Sequence, residues 1–338
     1  MSHGARLALV LALFGLGLAA VAVVALFLGS ARLSPSAVAR VLAGGAPASS
    51  AESVVVLSLR LPRIAAAALA GGALAVAGAG FQALTRNPLA EPSVLGVSSG
   101  AAFGVVVGRL AGGGESLADA ARLALFGFAG ALVAGAAVYL IAAVDGALPV
   151  QTLLLAGVIV GIFFASAIAV LTSIVDANRL GGIVHWLLGS VAAVPPASLA
   201  VFAGLAGLGV WLVLGRAREL NVLALGEEAA LQLGVDAERL KRRVFAGAAL
   251  LTSSVVAFAG PIGFVGLIVP HALRLALGPD NRLLVPACLL GGGVFLLAAD
   301  TLARNVLAPT ELSVGVITSF CGAPFFVYLL RTRCRGLP

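Results

Sequence analysis

The chain has 338 residues, of which 61% are hydrophobic and only 10% are charged, whereas a soluble domain has about 25% charged residues. A water-soluble globule of this length cannot bury so much apolar surface, so the composition excludes that class of protein. A bilayer core about 30 Å thick requires about 20 apolar residues per crossing helix. The chain therefore has room for about ten spans and for no sizeable extramembrane domain.

Apolar stretches of roughly spanning length recur along the whole sequence. The first of them, residues 7–28, follows Arg6 and is too long for the apolar region of a signal peptide, so we interpret it as a membrane helix. Long stretches without alternating polarity predict helices rather than a membrane barrel. We predict an all-α, polytopic fold with a single transmembrane domain over residues 1–338. The predicted spans are 7–28, 64–84, 94–110, 123–144, 152–175, 196–214, 244–259, 262–278, 283–302 and 314–330.

The distribution of lysine and arginine predicts the orientation. If the N-terminus lies in the cytoplasm, 13 of the 21 lysines and arginines fall on the cytoplasmic side and the other eight on the outer side. This excess follows the positive-inside rule and predicts that both termini are cytoplasmic. The formal net charge of +7 is then a consequence of topology, and it does not indicate nucleic-acid binding.

One cytoplasmic loop, residues 215–243, contains eleven of the 35 charged residues in the chain. Within it, apolar residues recur at helical spacing between Gly226 and Gly234, which predicts a short amphipathic helix with a glycine at its end. The helix could lie on the membrane surface or dock on a cytoplasmic partner. The acidic pair Glu227 and Glu228 favours the partner, because anionic lipid repels carboxylates.

Several kinds of chemistry have no motif in this sequence. The only lysine, Lys241, lies outside any phosphate-binding loop, and the three histidines and three cysteines show no metal-binding or disulfide spacing. Asp145, Asp176 and Asp300 lie at or near predicted span ends, which disfavours proton-driven transport. No channel selectivity element is recognisable. A membrane enzyme or a membrane scaffold stays an alternative, but many spans with one charged loop favour a transporter that is driven by a separate protein.

Several sequence runs closely resemble the BtuC/FecCD permeases of type II ABC importers. They include Arg60-Leu61-Pro62-Arg63 and the run Asn87-Pro88-Leu89-Ala90-Glu91-Pro92, and they occur in the family's order over nearly the whole chain. The resemblance implies ten helices in a BtuC-like permease fold. The full set of similar runs covers residues 60–63, 80–92, 95–101, 153–157, 225–228, 260–271 and 322–326.

The resemblance also implies partners and cargo. It implies a homodimer or pseudo-dimer in a bacterial inner membrane, with two ATPase subunits on the cytoplasmic side and a substrate-binding protein in the periplasm. ATP and Mg would be bound by the ATPase, and this chain would bind no cofactor. The implied cargo is an iron siderophore, haem or cobalamin, and a small oxyanion such as molybdate is the alternative for the same fold.

Site residues are carried over by position in the matching motifs. The residues assigned to ATPase coupling are Leu225, Gly226, Glu227, Glu228, Leu233 and Gly234. The residues assigned to docking of the binding protein, which could otherwise be anchors at helix ends, are Arg60, Arg63 and Arg304. The residues assigned to the cytoplasmic gate are Asn87, Pro88, Leu89, Gln151 and Thr152, of which the Asn-Pro pair could equally be a turn. His185, in an outer loop, is a candidate contact for a metal complex in transit.

Overall fold

The computed structural model describes residues 2–29, 31, 33–112, 117–144, 147–191, 196–308 and 310–334. Over these residues the chain is almost entirely helical, and its only β-type pairing is an isolated bridge between Val144 and Ala147. The predicted all-α class is therefore confirmed. One apolar core runs through the bundle from Val10 in the first helix to Val314 at the start of the last.

The helices follow one another with short connections. They are α1 His3–Phe27, α2 Pro35–Leu42, α3 Ala51–Ser53 with a π-helical continuation Val54–Arg60, α4 Leu61–Thr85, a 3₁₀ turn Pro92–Leu95, α5 Val97–Leu110, α6 Leu117–Ala142, α7 Val150–Ser173, α8 Ala177–Leu187, α9 Pro196–Leu214, α10 Ala217–Leu223, α11 Glu227–Gln232, α12 Ala237–Ala259, α13 Val265–Leu277, α14 Asn281–Asn305 and α15 Val314–Cys334.

Every predicted span coincides with one of these helices. Among the described residues, six helices are long and apolar enough to cross a membrane, and a seventh crossing is possible where α9 and α10 meet at a bend of 46°. Three shorter apolar helices, α5, α13 and α15, complete the ten predicted positions. The chain is therefore a multi-pass membrane protein, and α10 and α11 lie in the predicted 215–243 loop.

Helix α4 occupies the centre of the bundle, and it packs against its neighbours through glycine. Gly71 faces Gly292 of α14 so closely that a methyl group on either would overlap the carbonyl oxygen of the other. Gly78 faces the carbonyl of Gly266 in α13 in the same way. Lipid tails give helices no hydrophobic reason to associate, so close backbone approach at small residues supplies the attraction.

Two helices begin later than predicted, because the residue before each of them does not have α-helical backbone angles. Gly96 and Phe264 have positive φ angles of 72° and 67°, so α5 starts at Val97 and α13 at Val265 rather than at 94 and 262. At about 1.5 Å per residue, helices of 14 and 13 residues are too short to cross the hydrocarbon core alone. The Glu91 carboxylate accepts a hydrogen bond from the Phe264 N–H at 2.7 Å and so satisfies backbone at the start of α13.

Polar contacts between helices gather at the two ends of the bundle. At one end, which we call the loop end, are α10, α11, Arg86 and the first turns of α7, α12 and α14. At the other, the arginine end, are Arg60, Arg63 and Arg304. Arg6 in α1 donates to the Leu277 carbonyl at 2.6 Å, which places the start of α1 at the loop end.

The glycine contact between α4 and α14 yields a test of the packing. Gly292→Ala should destabilise the protein by about 1–3 kcal/mol, the usual cost of overpacking a core, because the new methyl group meets Gly71 backbone that cannot rotate away. Gly204→Ala in α9 is the matched control, since nothing lies within 4 Å of the new methyl group. Thermal unfolding in detergent measures both variants, and equal midpoints would refute the close packing.

Candidate coupling and docking sites

Helix α11 is shorter than the sequence predicts. It covers only Glu227–Gln232, whereas the apolar pattern predicts a helix over 225–235. Gly226 has a φ of 117° and Gly234 a φ of 79°, and these left-handed conformations, which favour glycine, break the helix on both sides. The predicted helix is therefore present, but it is less than two turns long and lies between two glycines.

The surface of α11 and its flanks carries three leucines that face outward. Leu225, Leu231 and Leu233 are 69%, 71% and 63% exposed, whereas Ala230 is completely buried. Leu231 was not among the predicted coupling residues, because it falls off the predicted apolar stripe, which includes Leu225 and Leu233. Its exposure at the charged end of the chain is the signal that reveals it, since clustered exposed leucines mark an interaction surface.

The two predicted contact acids differ in their surroundings. A carboxylate oxygen of Glu227 accepts a hydrogen bond from Lys241 at 2.8 Å, and the other lies 3.9 Å from the Arg86 guanidinium. Glu228 is exposed and forms no ion pair within the part of the chain that the structure describes. Glu227 is therefore held by this chain itself, and Glu228 faces outward.

Lys241 lies in the second turn of α12, and its side chain is only 3% exposed. Besides Glu227, it contacts Glu238 at 2.8 Å. The second oxygen of Glu238 accepts a hydrogen bond from the Leu148 N–H at 2.6 Å, just before α7 begins. Sequence reasoning did not select Lys241, although it is the only lysine in the chain.

The predicted gate residues lie in two separate segments at the loop end. Asn87 accepts a hydrogen bond from the Leu89 N–H at 3.0 Å, which closes the turn after α4, with Pro88 between them. Gln151 is exposed and Thr152 half-buried in the first turn of α7. No hydrogen bond or ion pair links the two segments directly in the described ranges, and their role as a gate stays a prediction.

Helix α10 is anchored to the start of α14. Asn221 donates to the Asp280 carboxylate at 2.7 Å and accepts from the Asn281 N–H at 2.8 Å. Asp280 caps α14, and the Arg282 guanidinium beside it holds the pKa of that carboxyl well below its usual range, with Asn221 contributing. Asp280 is thus an anion at neutral pH, and the positive N-terminal end of the α14 dipole stabilises it further.

The three predicted docking arginines are engaged within the chain at the arginine end. Arg60 is 4% exposed and donates to the carbonyls of Leu26 and Ala31. Its role here is to tie the end of α1 and the following loop to the segment before α4. The sequence alone leaves both a docking and an anchoring role open for Arg60. The carbonyl acceptors of Leu26 and Ala31 are visible only in the structure.

Arg63 and Arg304 share a buried carboxylate. Asp300 is completely buried and lies 3.0 Å from Arg63 and 3.1 Å from Arg304. Arg63 also contacts Glu311, on the loop after α14, at 2.7 Å. Both acids were missed as site residues, because their shared partner Arg63 is distant from them in sequence. Arg60, Arg63, Arg304 and Glu311 line a cavity of about 170 Å³ at this end, so guanidinium groups still border a space that a ligand can enter.

His185 is exposed on α8. It does not line the neighbouring cavity of about 290 Å³, whose described walls come from the end of α8, the segment before α13 and the first turns of α15. His185 therefore lies on the helix whose end forms part of the cavity wall, but its own side chain does not line the cavity. Among the described residues, no group of three histidine, cysteine or acidic side chains could hold a metal ion.

These features define a class of protein. The chain is a bundle of apolar helices, two of which, α5 and α13, are too short to cross the membrane alone. Its ion pairs lie at its two ends, and its exposed leucine surface lies at the loop end. Interrupted helices of this kind are typical of membrane transport subunits. The sequence profile of the FecCD transport family matches residues 17–332. The chain belongs to this family.

Individual relatives support the same conclusion. The cobalamin import system permease protein BtuC of Halobacterium salinarum is 45% identical over 283 residues, covering 83% of this chain and 74% of that protein. The hemin transport system permease protein HmuU of Yersinia pestis is 40% identical over 279 residues, covering 81% and 82%. A solved inward-facing conformation of a metal-chelate type ABC transporter superposes with a TM-score of 0.81 at 32% identity and covers 96% of this chain and 99% of that one. This chain is thus the permease subunit of an ABC importer, with the predicted BtuC-like fold.

The buried carboxylate at the arginine end yields a stability prediction. Asp300→Asn leaves Arg63 and Arg304 without their common anion, and breaking a buried ion pair costs about 3–5 kcal/mol. Asp176→Asn is the control, because Asp176 and Arg179 are both more than half exposed and such pairs contribute at most about 1 kcal/mol. Unfolding in mixed micelles measures both, and a small effect of Asp300→Asn would show that the charges are solvated.

Proposed function

We propose that two copies of this chain form the pathway of a plasma-membrane importer for a metal chelate or corrinoid, namely a siderophore, haem or cobalamin. A separate ATPase docks at the loop end, which faces the cytoplasm, and a substrate-binding protein docks at the arginine end, which faces outward. The observation that carries this proposal is the exposed leucine surface of α11, at the end of the bundle that also carries most of the basic residues.

The loop end supports ATPase docking through apolar contact. Leu225, Leu231 and Leu233 project from a segment anchored by Asn221 and Glu227, so the surface is held in place before a partner arrives. Preorganised apolar side chains with a polar rim are typical of protein interfaces. In this proposal Glu228 belongs to the rim, and Glu227 positions the helix instead of meeting the ATPase.

The arginine end supports docking of an acidic surface. The group of Arg60, Arg63, Arg304, Asp300 and Glu311 carries one net positive charge, and guanidinium groups bind carboxylates in a bidentate manner. Because Asp300 is buried between two helices, Glu311 on the loop is the acid that an incoming carboxylate can replace on Arg63. The binding protein in this proposal therefore presents carboxylates to Arg63 at the edge of the cavity.

A second copy of this chain fits the exposed faces of α7 and α15. One side of α7 packs in the bundle, and the other carries large apolar side chains, among them Ile159, Ile162 and Phe163. On α15, Phe320 is 76% exposed. Lipid covers apolar helices equally well, so the choice of a second copy rests on the family rather than on these faces.

Reconstituted transport tests the proposed function. Proteoliposomes that hold the chain, its ATPase and enclosed ATP are supplied outside with the cognate binding protein, loaded in turn with ferric siderophore, haem, cobalamin or molybdate. We expect one of the first three ligands to accumulate, and only with hydrolysable ATP. Accumulation of molybdate alone would replace the chelate proposal, and absence of any uptake by an assembled complex would overturn the importer assignment for this chain.

A leucine truncation tests the docking surface at the loop end. Leu231→Ala should weaken binding of the ATPase about tenfold, because burying one leucine contributes about 1.5–3 kcal/mol. Leu125→Ala is the matched control: this leucine is 66% exposed but lies near the start of α6, whose other end leads to Leu148 at the loop end. Quantitative co-purification across a range of ATPase concentrations compares the two, and equal binding would remove the leucine surface from the interface.

A further inference from the structure

Four charged side chains at the loop end form one connected cluster, which we call the Lys241 cluster: Arg86, Glu227, Glu238 and Lys241. Lys241 lies 2.8 Å from both carboxylates, and Glu227 reaches Arg86 at 3.9 Å. Two positive and two negative charges balance within the cluster. Lys241 is the member that joins the rest, since it contacts both acids.

The cluster joins three elements, and one of its members extends the connection to a fourth. Arg86 ends α4, Glu227 begins α11, and Lys241 and Glu238 lie in the first turns of α12. Glu238 continues the connection to α7, because it accepts the Leu148 N–H at 2.6 Å. The helix that bears the leucine surface is thus linked by polar contacts to both segments that contain the predicted gate residues, one position before Asn87 and three positions before Gln151.

The burial of Lys241 determines how the cluster responds when α11 is displaced. A lysine side chain that is only 3% exposed cannot exchange a carboxylate for solvent without a large desolvation cost. Glu227 is 41% exposed and Glu238 32% exposed, so each acid retains some hydration, whereas the lysine depends on both. When α11 is displaced, the ion pairs therefore favour joint movement of α12 and the start of α7 over separation.

We propose that Lys241 is a positioning residue that transmits displacement of α11 to the start of α7 at the loop end, through Glu238 and the Leu148 N–H. The end of α4 is linked to α11 without Lys241, because Arg86 faces Glu227 itself. The proposal rests on the proposed function, because displacement of α11 presumes a partner that docks there. It assigns Glu227 to transmission within the chain, and it gives the two gate segments a common connection through the cluster.

A distance measurement tests the transmission without any transport assay. After replacement of the native cysteines, spin labels at Gln232 in α11 and Gln151 in α7, both exposed, report the separation of the two elements by pulsed electron resonance. We expect a narrow distance distribution in the native background, and a broadened one in Lys241→Met. Lys241→Arg should restore a narrow distribution, because it keeps the charge. An equally narrow distribution in Lys241→Met would show that α11 and α7 are held together by other contacts, and it would overturn the proposal.

The matched control is Arg239→Met, which removes one positive charge from the start of α12. Its side chain is 70% exposed and pairs with the exposed Asp236, outside the Lys241 cluster.

In the reconstituted complex, Lys241→Met should lower the amount of ligand imported per ATP hydrolysed by about tenfold, a size typical of coupling between two sites. Arg239→Met should leave that ratio as it is.

The outcomes separate the two proposals. If the unaltered complex imports nothing, the proposed function fails, while the spin-label distances still decide the role of Lys241. If Lys241→Met does not assemble, Glu227→Gln takes its place, because it detaches α11 and leaves Lys241 paired with Glu238. A native import ratio and a narrow distance distribution in Glu227→Gln would then refute transmission through the cluster.

Discussion

The backbone contacts of α4 are the constraint on which the rest of the structure depends. Gly71 against Gly292 and Gly78 against Gly266 bring α4 to within van der Waals distance of α14 and α13, and only residues without a side chain allow that approach. Because α4 is central and rigid, it fixes both of its ends. Arg63 is thereby held next to Asp300 at the arginine end, and Arg86 next to Glu227 at the loop end.

The fold was largely predictable because long apolar stretches in a sequence predict membrane helices. All ten predicted spans coincide with helices, and the resemblance to the family supplied their arrangement. The starts of α5 and α13 were wrong by three residues each, since the predicted spans run through Gly96 and Phe264, where a positive φ angle and not hydrophobicity delays the start of the helix. Hydropathy measures whether a residue can lie in lipid, and it does not show where a helix begins inside the membrane.

The sites were less predictable, because their chemistry depends on pairs that are distant in sequence. The motif assigned Arg63, Arg304 and Glu227 to contacts with partner proteins, and the structure gives each of them an acid or base of its own within the chain. Leu231 was missed because the predicted apolar stripe, which includes Leu225 and Leu233, does not include it, although all three are exposed. Lys241 was missed because nothing in the sequence relates its partner Glu238 to Leu148, 90 positions earlier in the chain.

The two ends of the bundle use ion pairs in different ways. At the arginine end, Asp300 joins Arg63 and Arg304, which lie on α4 and α14, and these two helices are already locked by glycine packing. Those ion pairs therefore reinforce a connection that would exist without them. At the loop end, Glu227 and Lys241 join the six-residue α11 to α12, beside the completely buried Ala230. The ion pairs there act on a segment of under two turns and not on two long packed helices, so the interaction that reinforces an existing contact at one end helps to set the position of α11 at the other.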